Sequence, residues 1–248
     1  MSDSVSRETP PPPASAAGVF STHLPLAVRY ADLLATDGVV RGLIGPREVP
    51  RLWERHLVNC ALLGRAIPEG TDVCDIGSGA GLPGLVLALA RPDLSVTLVE
   101  PLLRRTAFLD EAVQALGLDN VEVVRARAEE LHGHREFSVV TSRAVAPLDR
   151  LLGWSMPLVR EGGALVAMKG SSVQEEIVTA KTALRRYGAG AVTVVEYGSD
   201  LIDPPTTVLR VEATRPSRLG LDALRPSRSA RRATKSPTPR TSRTKKGR

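Results

Sequence analysis

The hydrophobic pattern changes character near residue 70. Before it, apolar positions recur at helical spacing: Leu26, Tyr30, Leu33 and Leu34, then Leu52, Leu57, Leu62 and Leu63. Gly45-Pro46 marks a break between helices. After it, short apolar runs alternate with longer amphipathic stretches. The runs predict strands over Asp72–Ile76, Ser95–Glu100, Val121–Ala126, Ser138–Ser142, Ala164–Met168, Val192–Glu196 and Thr207–Ala213. Helices are expected near 83–90, 102–116, 147–160 and 173–187. Such alternation predicts a mostly parallel, doubly wound α/β sheet, with residues 19–70 as a small helical N-terminal cap. The loop Gly198–Thr206 is too short for a crossover helix, so the seventh strand is expected to run antiparallel to its neighbour.

One junction carries most of the chemistry. The first strand bears Asp75 and is broken by Gly77, Gly79 and Gly81; Pro83 and an apolar run, Leu85–Ala90, then start a helix. A loop without Cβ atoms lets backbone approach a ligand, and a helix N-terminus behind it offers free N–H groups. Gly79, Gly81 and Gly84 formally match a dinucleotide pattern, but counted from the strand end the third glycine falls on Leu82. An acid two residues before the loop looks more like the S-adenosylmethionine (SAM) loop of Rossmann-like methyltransferases, where it meets the ligand's amino-acid end. Glu100 closes the second strand and could accept both ribose hydroxyls, which suits NAD and SAM equally.

Composition adds boundaries. The chain has 248 residues, 42% hydrophobic and 3% aromatic, enough for one α/β domain with an aliphatic core. No apolar run reaches the roughly 18 residues of a transmembrane helix. The two cysteines, Cys60 and Cys74, read as buried thiols, with neither metal spacing nor a disulfide framework, and a reducing, cytoplasmic setting is expected. The net charge of +6 belongs to one end. Residues 214–248 hold 12 of the 33 Lys and Arg and one of the 27 acids, leaving 21 basic against 26 acidic residues elsewhere. This tail is expected to be disordered and to attract nucleic acid nonspecifically, or merely to solubilise the chain. The proline-rich residues 1–18 read as a disordered leader, without a basic-then-apolar signal peptide. The main domain is therefore placed at 71–213.

In open α/β sheets ligands sit outside the carboxyl ends of the strands. Those ends carry Asp75 and Gly77, Glu100, Arg127-Ala128-Glu129, Ser142-Arg143 and Lys169-Gly170. Ala128 and Glu129 could hold an adenine, or Glu129-Glu130 could simply open a helix. Arg143 and Lys169 would face an anionic backbone or the O6 or N7 of guanine, unless each pairs with an interior acid. In the cap, Arg55, His56 and Asn59 share a helical neighbourhood and could touch substrate or form a solvated face, with Trp53 as packing anchor. The Asn/Asp-Pro-Pro-aromatic motif of exocyclic-amine methyltransferases does not follow the fourth strand. No Ser/His/Asp set, zinc spacing or Walker loop is visible.

Taken together, Asp75-Ile-Gly-Ser-Gly-Ala-Gly-Leu-Pro-Gly84, Glu100, Leu103-Arg-Arg-Thr-Ala-Phe-Leu109, Arg127-Ala-Glu-Glu130, Ser142-Arg-Ala144 and Met168-Lys-Gly170 resemble the RsmG (GidB) family over about residues 20–213. The resemblance implies a Rossmann-like SAM-dependent methyltransferase fold. It implies methylation of nitrogen 7 of the guanine at position 527 of 16S ribosomal RNA. It further implies cofactor contacts at Gly77, Leu82, Ala128, Glu129 and Arg143, beside Asp75, Gly79 and Glu100 read from the glycine loop and the second strand. Arg143 and Lys169 become the cations nearest the reacting base, and Arg127, Arg210 and His56 weaker RNA contacts. The family often has Asp where Glu100 stands, so the reach to ribose differs. The implied partner is 16S rRNA or the small ribosomal subunit, met by a monomer, with no metal. A small-molecule methyltransferase and a noncatalytic SAM-binding assembly factor are the competing expectations.

Overall fold

The computed structural model describes residues 9–214. The first eight residues of the leader, and the basic tail from Arg215, lie outside the described residues.

Seven strands of the described residues form one sheet: β1 (Asp72–Ile76), β2 (Ser95–Val99), β3 (Val121–Val124), β4 (Phe137–Arg143), β5 (Val159–Met168), β6 (Ala189–Tyr197) and β7 (Thr206–Ala213). Their spatial order is β3-β2-β1-β4-β5-β7-β6. β7 slots between β5 and β6 and runs antiparallel to both. The pairings among β1 to β5 are all parallel. The inner strands are covered on both faces, which is why they read as unbroken apolar runs.

Among the described residues eight α-helices accompany the sheet: α1 (Ala14–Phe20), α2 (Leu24–Leu33), α3 (Asn59–Leu62), α4 (Gly84–Ala90), α5 (Leu103–Leu116), α6 (Leu148–Ser155), α7 (Val173–Thr179) and α8 (Lys181–Arg186). α1 to α5 share one apolar cluster on one side of the sheet, while α6 to α8 contribute to a second on the other. α5 shows the local logic. Phe108, Leu109, Ala112 and Leu116 recur at helical spacing and are buried, and left-handed Gly117 stops the helix as the Leu118 N–H returns to the Val113 carbonyl.

Several expected boundaries move, three of them with a visible cause. The leader was expected to be disordered through residue 18. Instead Ala14–Phe20 is helical, because Ala16 and Phe20 bury apolar surface and Phe20 meets Trp53 edge to face at 6.3 Å. Trp53 Nε1 also donates to the Pro10 carbonyl at 2.8 Å. β5 begins at Val159, five residues early, since Val159 pairs with Phe137 ahead of a bulge, after which the ladder resumes at Ala164 opposite Val139. The single helix expected over 173–187 is two, meeting at Ala180. The cap is helical but not uniformly so: Leu34–Gly38 and Leu52–Val58 are wound as wider π-turns.

Candidate functional site

At the end of β1 the chain turns through Gly77, Gly79 and Gly81 at φ of 68°, 59° and 94°, values that favour glycine. The loop is fixed from three directions. The N–H groups of Gly77 and Ser78 both donate to the Val99 carbonyl, at 2.8 and 3.2 Å. Tyr30 of the cap donates its hydroxyl to the Ala80 carbonyl at 2.6 Å. Asp75 Oδ2 accepts from the Gly84 N–H at 3.1 Å, tying the strand to the first residue of α4. Leu82 turns its side chain into the core, so its backbone is what it offers a ligand.

Asp75 is wholly buried, and its Oδ1 has no hydrogen-bond partner. Burial, more than any neighbour, pushes its carboxyl up to about 7. Glu100 is almost as enclosed. Its Oε2 accepts from the Gly79 N–H at 3.0 Å and its Oε1 from the Leu102 N–H at 3.0 Å, with Arg105 Nη1 3.4 Å away. The second-strand acid thus braces the glycine loop directly. Ala128 and Glu129 open a short turn after β3, in which Glu130 caps the Arg127 N–H at 2.7 Å. Glu130 takes the helix-start role, and Glu129 stays exposed.

Arg143 ends β4, and the next residue, Ala144, is held at φ 55°. A non-glycine residue there is sparsely populated and marks a constrained junction. Val145 then packs toward Gly77, within 3.1 Å of where a Cβ would stand. Arg143 Nη1 lies 2.9 Å from His56 Nδ1 and 3.4 Å from the Arg55 carbonyl. His56 Nε2 lies 2.9 Å from Glu48 Oε2. His56 is thus a buried neighbour of Arg143 and not a solvent-facing RNA contact.

Beside Arg143 a cavity of about 880 Å³ opens at the carboxyl edge of β4 and β5, its walls including Asn59, Lys169, Glu176 and Thr206. Lys169 lines it, but its ammonium bonds Glu176 Oε2 at 2.7 Å and the Ala146 carbonyl at 3.3 Å. The alternative of an acid partner therefore holds for Lys169. A second recess of about 470 Å³, which Arg143 also lines, carries Arg51 and Arg55. Arg127 is exposed beyond β3. Arg210 lies apart, in a small recess with Pro68, Thr71 and Arg160, where it reaches Glu212 at 3.6 Å. Tyr30, Glu48 and Glu176 are site residues without a motif to mark them: Tyr30 acts on a loop fifty residues on, and Glu48 and Glu176 act through His56 and Lys169, eight and seven residues away across a turn.

The family model described as "rRNA small subunit methyltransferase G" (GidB) matches residues 23–201. The chain belongs to this family. A ribosomal RNA small subunit methyltransferase G of Nocardioides sp. is 64% identical over 220 residues, covering 88% of each chain. The enzyme of that name in Thermobifida fusca is 56% identical over 221 residues, covering 89% of this chain and 93% of its own. Among solved structures, M. jannaschii TYW2 in complex with AdoMet superposes with a TM-score of 0.50 at 15% identity, over 64% of this chain and 76% of its own. A SAM-dependent O-methyltransferase of Thermotoga maritima gives 0.50 at 13%, over 63% and 65%. Those two likenesses bear on the fold, which is the Rossmann-like methyltransferase fold.

SAM is the cofactor of this GidB-family chain. The site fits it. A buried carboxylate oxygen without a donor, at Asp75, lies behind a loop in which three glycines leave the backbone uncovered, which suits a cationic amino-acid end. Among the described residues no group of three or more His, Cys, Asp or Glu could hold a metal ion. Among them, too, no helix is long and apolar enough to cross a membrane.

Proposed function

We propose that this GidB-family methyltransferase transfers the methyl group of SAM to nitrogen 7 of a guanine in 16S ribosomal RNA. It does so as a cytoplasmic monomer acting on the RNA or the small subunit. The observation that carries the reading is Arg143: a guanidinium at the rim between the glycine loop and the 880 Å³ cavity, held in place by the cap.

When bound, the cofactor supplies a methyl group on a positively charged sulfur, electrophilic enough for a neutral ring nitrogen. Asp75 would receive its amino-acid end, the backbone of Gly77 to Leu82 would lie along it, and Ala128 and Glu129 would hold the adenine. Glu100, already bonded to Gly79 and Leu102, has lone pairs left for a ribose hydroxyl. Guanine N7 carries a free lone pair, so the chain removes no proton from its acceptor. The carboxylates at the cavity agree with that. Glu176 is bound to Lys169, and Glu196 stands on the exposed rim. What the chain supplies is alignment. Positive charge moves onto the purine during transfer, so Arg143 serves best on a flanking phosphate, with bidentate geometry. Lys169 adds a second positive charge to the cavity wall. Arg127 and the basic tail add sequence-independent attraction.

The test uses small subunits lacking this modification, the full-length chain and methyl-labelled SAM, with mass mapping of the nucleosides. Label on 7-methylguanosine is expected. Label only in a metabolite extract, or on no guanine N7, ends the proposal.

A further inference from the structure

His56 belongs to the cap and Arg143 to the sheet, 87 residues on, yet they are 2.9 Å apart. A guanidinium can only donate, so the Nδ1 atom of His56 must accept. Its proton therefore sits on Nε2 and is donated to Glu48 Oε2 at 2.9 Å. Geometry alone fixes the tautomer. The imidazole is 7% exposed and wedged between a carboxylate and a cation. Glu48 also gathers Arg51 at 3.0 Å and Arg55 at 3.2 Å, which anchors it. The second acceptor of Arg143, the Arg55 carbonyl, lies on the same π-wound turn as His56. The guanidinium is thus oriented by one turn of the cap.

We propose that Glu48 and His56 form a positioning pair that orients Arg143 toward the acceptor nucleotide, and that protonating His56 undoes it. This rests on Arg143 as the nucleotide-facing cation. A second proton on the ring would set two donors and two positive charges face to face at the same 2.9 Å. The groups that face the ring are Glu48 from the preceding turn, Arg55 from its own and Arg143 from β4; Asp75, Tyr30 and Cys60 stand behind Arg143. Burial and Arg143 together hold His56 below the ordinary histidine range against the pull of Glu48. The pair is therefore intact at neutral pH and fails on acidification.

The experiment follows full-length wild type, His56→Leu, His56→Asn and Glu48→Gln on unmodified small subunits with SAM, from pH 5 to 8. Nitrogen NMR of His56 is recorded in parallel. The expected spectrum shows an Nε2–H tautomer at neutral pH. His56→Leu should lower kcat/KM for RNA by about ten- to a hundred-fold, as misalignment does, with SAM affinity within about two-fold. Asn places an acceptor oxygen near the Nδ1 position, so it should keep most activity and lose the acid limb of the profile. Glu48→Gln should shift that limb to lower pH, as the ring loses its counter-charge. An Nδ1–H tautomer, or an imidazolium at pH 7, overturns the proposal. So does an Asn variant as impaired as Leu, or wild type with no acid limb. If the acceptor is not guanine N7, the tautomer still stands; if the pair is wrong, guanine is methylated with no such limb.

Discussion

The hydroxyl of Tyr30 and the carbonyl of Ala80, fifty residues apart, are joined at 2.6 Å in a fully buried setting. A helix of the cap thereby fixes the middle of the glycine loop. A Cβ on Gly81 would come within 2.8 Å of the same hydroxyl, so the fit on that side is tight. Tyr30→Phe leaves the Ala80 carbonyl without its donor, a loss of about 1–3 kcal/mol. Part of it should appear as about three- to ten-fold weaker SAM binding, read by titration calorimetry. The rate at saturating SAM should change little. Unchanged SAM affinity would show that the loop is held by its other bonds alone.

Asp75 makes stability depend on pH. Its folded value near 7 lies above the ordinary 3.8 because burial disfavours the charged form. A raised acid stabilises fully below the unfolded value, and the contribution is lost as pH rises through the folded one. The unliganded protein should therefore lose stability between about pH 4 and 7, by up to about 4 kcal/mol for three units. Asp75→Asn has no such charge to bury. Denaturant midpoints at pH 5 and 8 should diverge for wild type and converge for the variant, which should also bind SAM poorly. Equal slopes in both proteins would refute the assignment.

Gly84 starts α4 directly above β1 and β2. A Cβ there would stand 2.7 Å from Asp75 Oδ2 and collide with the Leu98 side chain. Gly84→Ala should cost about 1–3 kcal/mol by overpacking. For a domain of this size that lowers Tm by about 2–12 °C. A thermal melt within a degree of wild type would mean that α4 can move outward freely.

Glu176 Oε2 accepts both from Lys169 at 2.7 Å and from the Leu148 N–H at 2.9 Å, so it competes with RNA for the ammonium. Glu176→Gln keeps an acceptor and removes the charge. RNA affinity should rise, and its dependence on salt should steepen by about 0.7–0.9 in log–log slope, one further phosphate contact. Binding isotherms at several salt concentrations check this; an unchanged slope would confine Lys169 to bracing Ala146.

The inner strands are legible because strands covered on both faces must be apolar throughout, the edge strands β3 and β6 because their runs are rich in valine, and the glycines between Asp75 and Pro83 announce their turn. Asp75, Glu100, Arg143 and Lys169 follow from the rule that strand ends hold ligands. What the chain conceals is pairing at long range. His56 is visible as a histidine on a helical segment, but nothing local says that its two nitrogens meet Glu48 and Arg143. Lys169 is visible as a strand-end cation, but which acid of the next helix, Glu175 or Glu176, meets it seven residues on is set by the turn between them. The helix at Ala14 is hidden for another reason: its run of small residues is decided by burial against Trp53, not by propensity.

The placement of β7 bears on how the molecule is made. β7, the last strand among the described residues, fills the gap between β5 and β6, and its Thr206 hydroxyl donates to the Asn59 carbonyl at 3.0 Å, across 147 positions. β6 leaves the ribosome before the neighbour it must pair with. The cap segment around Asn59 meets this support only after β1 to β6 have been made. Loop closures this long slow assembly, so the wall of the cavity formed by Asn59 and Thr206 should close late, after the glycine loop at the end of β1 is in place.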